Sequence, residues 1–274
     1  MKSNKNETPV AARPLIIAHR GASGLYPENT ILAIKEAYNN GADLIEIDVR
    51  LTHDGHVVLL HDAFVDRTTD GSGRLDRLTL VQTQLLDAGF RFTRDGQTFP
   101  FAGHGLKIPL LSEVLAELPT AKFQIELKDN SLALAVKVLE IVRSHQSLER
   151  TQIASAFGRL LSFIHKAEQN AVLAHSAFDA IKFVLCALIG HAYSPCFHAG
   201  FIDLPLRSCR YQHIVFAATR LAAKQGLRVR AYTVNDLDKM KSLVNMGLQG
   251  FFTDYPAEAR LLVDALQERK LHDG

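Results

Sequence analysis

The sequence predicts an α/β protein whose parallel strands close into a TIM (β/α)8 barrel, with a small insertion after the second barrel strand. Three observations predict it. Eight strand-like runs recur along the chain, and helix-like stretches fill most of the gaps between them, an alternation that implies a parallel sheet. The 274 residues are long for an average domain but ordinary for such a barrel.

The first strand candidate is "LIIAH" (15–19), followed by a helical pattern at "TILAIKEAYNN" (30–40) that starts at a capping Asn29 or Thr30 and stops at Gly41. The second is "DLIEIDV" (43–49). "VVLLHD" (57–62) then returns through an Asp54-Gly55 turn signal. Residues 62–108 break the rhythm: they are rich in Gly, Asp, Arg and Thr with weak periodicity, and read as an insertion packed over one barrel mouth. Helical "LLSEVLAEL" (110–118), strand "KFQIEL" (122–127) and helical "SLALAVKVLEIVRSH" (131–145) resume the pattern. The remaining strand candidates are "TQIAS" (151–155), "NAVLAH" (170–175), "HAGFIDL" (198–204), "RVRAYTV" (228–234) and "QGFFTD" (249–254). "NDLDKMKSLVNMG" (235–247) carries Leu237, Met240, Leu243 and Val244 on one helical face. The expected organisation is a flexible tail over 1–13 and one domain over 14–268, with no internal repeat.

Composition narrows the function classes. Apolar residues make up 47% and charged residues 22%, which fits a sizeable core and excludes wholesale disorder. A net charge of +2 gives no bulk electrostatic argument for a nucleic-acid partner. Cys186, Cys196 and Cys209 are odd in number and form no CxxC pair, so reduced thiols in a cytosol are expected. The first fourteen residues lack the apolar core of a signal peptide. "FVLCALIG" (183–190) is the longest apolar run and is far too short to span a bilayer. It reads as a buried helix, with a weak membrane-facing patch as the other reading.

Charged residues sit where barrel strands should be apolar. Glu46 and Asp48 are two apart and share a strand face, while Ile45, Ile47 and Val49 take the opposite one. Two carboxylates inside a barrel repel and resist desolvation. A divalent cation is their natural partner, and oxygen ligands favour Mg²⁺ or Ca²⁺; a solvated pair on an amphipathic strand is the plainer alternative. Glu126 and Lys128 repeat the spacing. His19 and Arg20 end the first strand, and His61 ends the run at 57–62. All seven fall near carboxyl ends of strand candidates, the face where barrel active sites lie. Two imidazoles can divide acid and base work, three carboxylates can hold one hard cation, and arginine and lysine can hold a phosphate. The set fits phosphodiester cleavage. It fits glycosidic cleavage less well, since that chemistry needs paired carboxylates without a basic cluster.

"HRGASGLYPENT", "GADLIEIDVRLTHDGHVVLLHD", "DRTTDGSG", "IELK", "YTVND" and "GLQGFFTDYP" together resemble the glycerophosphodiester phosphodiesterases, over about residues 14–265. "LDAGFRF…FPFAGHGLKIPLLSEVL" is similar to a bacterial cytoplasmic subgroup. The resemblance implies a TIM barrel and hydrolysis of glycerophosphodiesters, such as glycerophosphocholine, to sn-glycerol 3-phosphate and an alcohol. It assigns His19 and His61 to acid–base catalysis, Glu46, Asp48 and Glu126 to one divalent cation, and Arg20 and Lys128 to phosphate. It also brings a route in which the glycerol 2-hydroxyl attacks phosphorus and water opens the resulting cyclic phosphate. Tyr232 stands where the family usually has Trp, which implies a substrate-lining ring and a shift in fit. Gln249 and Phe252 depart from the usual Asp and aliphatic residue. A lysophospholipase D, with residues 178–197 as an acyl groove, and a non-catalytic phosphate-binding barrel are the competing expectations.

Overall fold

The computed structural model describes residues 13–195, 200–206 and 211–272. The expected tail over 1–13, Cys196, Cys209 and the start of the 198–204 strand candidate therefore lie, all but Arg13, outside the described residues.

The barrel strands are β1 (Leu15–His19), β2 (Leu44–Leu51), β4 (Phe123–Leu127), β5 (Thr151–Ser155), β6 (Val172–Leu173), β7 (Phe201–Pro205), β8 (Arg228–Tyr232) and β9 (Gly250–Thr253). They form one parallel sheet in the order β6-β5-β4-β2-β1-β9-β8-β7, and β3 (Val57–Leu59) pairs antiparallel with the outer end of β2. Chain order is therefore kept around the curl, as a right-handed β–α–β path requires. Among the described residues no ladder joins β6 to β7. The His175 ring spans that seam, its Nδ1 2.7 Å from the Phe201 carbonyl oxygen, and Ala154, Ala174 and Phe201 pack beneath it.

Helices α1 (Ile31–Asn39), α3 (Leu111–Glu117), α4 (Leu132–Ser144), α5 (Gly158–Ala167), α6 (Ala177–Ile189), α7 (Tyr211–Gln225), α8 (Leu237–Asn245) and α9 (Pro256–His272) follow the barrel strands; α2 (Leu80–Gln84) belongs to the insertion. Side chains cap the starts of several: Thr30, Ser131, Ser176 and Asp236 each accept from a backbone N–H three residues on, satisfying donors that a helix start leaves unpaired. Outward-facing strand residues and inward helix faces fill two apolar shells, one around Ile45, Ile47, Phe123 and Ile125, the other around Ile202, Val229, Ala231 and Phe251. The insertion has its own small core of Val58, Leu60, Val65, Leu75, Ala88 and Ile108.

The structure changes four expectations. β6 has two residues rather than six, because His175 takes over the seam. The strand expected over 198–204 ends one residue later, at Pro205. Helices α5, α7 and α9 occupy gaps to which the sequence pattern assigned no helix. The apolar run expected as a buried helix is α6, and only one of its faces is buried: Phe183 is fully covered, whereas Phe178 is 72% exposed. No described helix is long and apolar enough to cross a membrane.

Candidate active site

Strand register sets the site. In parallel pairing His19 lies beside Glu46, and Asp48 beside Glu126, so alternate side chains of three neighbouring strands enter the same end of the barrel. There they line a cavity of about 310 Å³, together with Arg20, His61, Lys128 and Tyr232. All eight residues singled out from the sequence thus border one cavity.

The three carboxylates converge: Glu46, Asp48 and Glu126 each offer an oxygen within 4.8 Å of the others, and the first two are buried. Burial pushes the Glu46 carboxyl well above its ordinary range, and the neighbouring charges of Asp48 and Glu126 add to the push. Burial opposes the Asp48 charge too, but Arg20, Lys128 and His61 outweigh it and hold Asp48 low. Crowded buried carboxylates with one forced towards its neutral form are a donor set that a hard cation would relieve. The residues therefore fit a divalent ion.

The loop after β1 explains each letter of "PENT". Thr30 Oγ1 donates to the Pro27 carbonyl at 2.7 Å while capping α1. Asn29 Nδ2 donates to Asp48 Oδ2 at 2.9 Å, and its Oδ1 accepts from the Asp48 backbone N–H at 3.1 Å. Glu28 accepts from Arg20 Nη1 at 2.9 Å and from both terminal nitrogens of Arg67 at 2.7 and 2.8 Å. Burial opposes the Glu28 charge, but Arg67 and Arg20 hold the carboxyl below its ordinary range. The turn needs Gly21: its φ is +84°, and a Cβ there would sit 2.6 Å from the Ala33 backbone.

Arg20 joins these parts. Its backbone N–H donates to Glu46 Oε2 at 3.0 Å, and its Nε lies 3.1 Å from Asp48 Oδ2 in an ion pair angled too poorly for a hydrogen bond. Burial works against its charge, but Asp48, Glu28 and Glu46 more than offset it. Lys128 Nζ lies 3.1 Å from Glu126 and 3.4 Å from Asp48. Burial disfavours its charge as well, yet those carboxylates raise it above the usual lysine range. Both cations stay charged at the cavity wall.

Each imidazole is held by an aspartate that the sequence reading did not assign. His19 Nδ1 lies 2.7 Å from Asp254 Oδ1, and Asp254 also accepts from Ser23 Oγ at 2.9 Å and from Asn235 Nδ2 at 2.6 Å. His61 Nδ1 lies 2.6 Å from Asp62 Oδ1, while Arg67 bonds the other Asp62 oxygen. Burial opposes the Asp62 charge, but Arg67 and His61 hold its carboxyl at about 2. Asp254 is also held low against burial, by His19, Asn235 and Ser23. A carboxylate on Nδ1 places the proton there and leaves Nε2 as the exchanging nitrogen. Adjacency to His61 was the signal for Asp62. Asp254 carried its place at the end of the last strand, and Arg67 only its membership of the "DRTTDGSG" motif.

Below the carboxylates lies a buried ionic layer. Arg230, 1% exposed, donates to Asp203 at 2.6 and 2.7 Å, to Gln152 at 3.0 Å and to Gln124 at 2.6 Å. Its guanidinium stacks 3.5 Å from the Phe201 ring centroid. Phe252 meets Tyr232 edge-on at 5.8 Å, and Gln249 Oε1 accepts from the Val229 backbone N–H at 2.7 Å. Both departures thus have structural uses.

Comparison with known proteins matches this arrangement to a family. Residues 19–258 match the model of the glycerophosphoryl diester phosphodiesterase family. The chain is 33% identical over 258 residues to a glycerophosphodiester phosphodiesterase of Caldanaerobacter subterraneus, covering 89% of this chain and 95% of that one. A phosphodiesterase from Oleispira antarctica, solved with the product sn-glycerol-3-phosphate, superposes with a TM-score of 0.73 at 26% identity, covering 92% of this chain and 97% of the other. A phosphodiesterase domain from Mycobacterium tuberculosis, 22% identical, shares the fold with a TM-score of 0.78 over 91% of this chain and 98% of that one.

Proposed function

The chain belongs to the glycerophosphoryl diester phosphodiesterase family and is an enzyme of that class, and from that premise we propose that it hydrolyses small glycerophosphodiesters to sn-glycerol 3-phosphate and an alcohol, with His19 and His61 as the acid–base pair. The observation that carries the assignment is the pair of imidazoles on one cavity, each fixed through Nδ1 by its own aspartate.

In this reading Arg20 and Lys128 hold the phosphate oxygens by charge-assisted hydrogen bonds. Glu28 and the Asp48 carboxylate fix the Arg20 fork before substrate arrives, so little ordering remains to be done on binding. One histidine Nε2 takes the proton of the attacking hydroxyl, and the other gives a proton to the departing alkoxide; the roles reverse when water completes the reaction. The attacking group is the glycerol 2-hydroxyl if a cyclic phosphate forms, and water if it does not. Glu46, Asp48 and Glu126 would hold one divalent cation, Mg²⁺ or Ca²⁺, which when bound supplies charge stabilisation to phosphoryl oxygens. Tyr232, 37% exposed at the rim, offers a ring to the leaving alcohol. Of α6, only Ala177 and Ala180 line the cavity, so its apolar side chains do not form an acyl groove there, and the small headgroup diester is favoured over a lysolipid. Binding alone would not need two oriented imidazoles.

Phosphorus NMR of the purified chain with glycerophosphocholine and lysophosphatidylcholine, with and without EDTA, tests this. Glycerol 3-phosphate release that stops with EDTA is expected. His19→Ala or His61→Ala should each lower turnover by about 10²–10⁴-fold while circular dichroism stays unchanged. Unchanged turnover would remove that histidine from the scheme.

A further inference from the structure

The outer face of α6 is apolar and, among the described residues, uncovered. Phe178, Ile181, Leu185, Leu188 and Ile189 are 72, 61, 57, 53 and 67% exposed. At helical periodicity these five positions fall in a single stripe roughly 100° wide. Helix α7, which packs alongside, exposes Phe216 as well, at 59%. Single exposed apolar residues are ordinary on any surface, but a contiguous row marks a contact site.

The exposed charge of α6 and of the helices before and after it has one sign. Helices α5, α6 and α7 contain a single acidic residue, Asp179, which is 3% exposed and bonded to Ser176. The same helices carry Arg159, Lys166, Lys182, Arg220 and Lys224. Glu168, just past α5, is tied to Arg143. These three helices thus carry five cations and no exposed carboxylate.

We propose that this face docks on an anionic lipid bilayer, with α6 lying in the headgroup plane and its apolar stripe inserted. An apolar row flanked by lysine and arginine is the composition of an interfacial helix, and cations near anionic lipid attract over a Debye length. The helix starts at the catalytic end of the barrel: its cap Ser176 and first-turn Ala177 line the cavity. Docking therefore sets the cavity rim beside the lipid headgroups. A second copy of the chain fits less well. A 13-residue helix is about 20 Å long, so its face offers a few hundred Å², short of the roughly 800 Å² per partner of a stable interface. Two-fold pairing would also bring the same cations onto themselves.

The test is flotation of the full chain with phosphatidylcholine vesicles that do or do not contain phosphatidylglycerol, alongside light scattering. Docking is read whether or not the chain hydrolyses any given diester. Binding to the phosphatidylglycerol vesicles that weakens with salt is expected. The triple variant Phe178→Ser, Ile181→Ser, Leu185→Ser should lower partitioning by roughly tenfold or more, and so should Lys182→Glu with Arg220→Glu and Lys224→Glu. Turnover of soluble glycerophosphocholine should stay unchanged in both. No flotation of the wild type, or flotation undiminished in the charge-reversed variant, would overturn the proposal. So would a wild-type dimer that the serine variant dissolves, which would give the face to a second copy.

Discussion

Asp254 shows how a side chain outside the cavity lining sets the state of one inside it. Its carboxylate bonds His19 Nδ1, and Ser23 and Asn235 fix the carboxylate in turn. Removing it frees the ring to rotate and to take the other tautomer without touching the phosphate site. Asp254→Ala should therefore lower kcat by about 10–100-fold with KM near its wild-type value, together with an altered acid limb in the pH–rate profile. A proportional rise in KM would instead place Asp254 in substrate binding. Asn29 does for Asp48 what Asp254 does for His19, gripping both its carboxylate and its backbone N–H. Asn29→Ala should weaken divalent-cation affinity by about tenfold or more, measured by calorimetry; unchanged affinity would argue that Asp48 needs no such support.

Strands β4, β5, β7 and β8 are pinned together by one buried guanidinium. Arg230 bonds residues from three other strands, on the side of the barrel where, among the described residues, no ladder joins β6 to β7. A buried charge stripped of its partner is costly, so Asp203→Ala should destabilise by about 3–5 kcal/mol in denaturant unfolding. Arg230→Met with Asp203→Leu should recover much of that loss, because an apolar pair of similar volume leaves no orphaned charge. A double variant as unstable as the single one would mean that the glutamines, rather than the ion pair, dominate the layer. The loop between β1 and α1 is pinned differently, by the Gly21 turn and the Thr30 cap; Thr30→Ala should cost about 1 kcal/mol.

At the scale of the molecule, the carboxylates at the barrel mouth tie folding and cation binding to pH. Asp48, Glu28 and Asp254 are held low, and Asp62 is held at about 2. A carboxyl with a folded pKa below its unfolded one stabilises above about pH 4 and loses that contribution as pH falls through the folded value. The melting temperature should therefore drop steeply from about pH 4 towards 2. Glu46 has the opposite sign: burial raises it, so its ionisation opposes folding, and a bound cation must displace its proton. Cation affinity should accordingly tighten as pH rises above the ordinary glutamate range, with proton release seen as a buffer-dependent calorimetric heat. Affinity independent of pH would mean that Glu46 is not a ligand.

The sequence by itself determined the barrel class, the order of the strands and the functional residues near their carboxyl ends, because strand period and turn chemistry are local: Glu46 and Asp48 share a face however the rest folds. It also marked Glu28 and Asn29 within a quoted motif without revealing what they hold. Tertiary structure alone decided the rest. It brought Asp254 to His19 across 235 residues, linked Arg67 of the insertion to Glu28 and Asp62, and set the His175 side chain across the seam between β6 and β7. It also decided which face of α6 meets water. Periodicity marks a helix as apolar on one side, but it cannot say whether a neighbouring element covers that side; that depends on contacts between segments far apart in the chain.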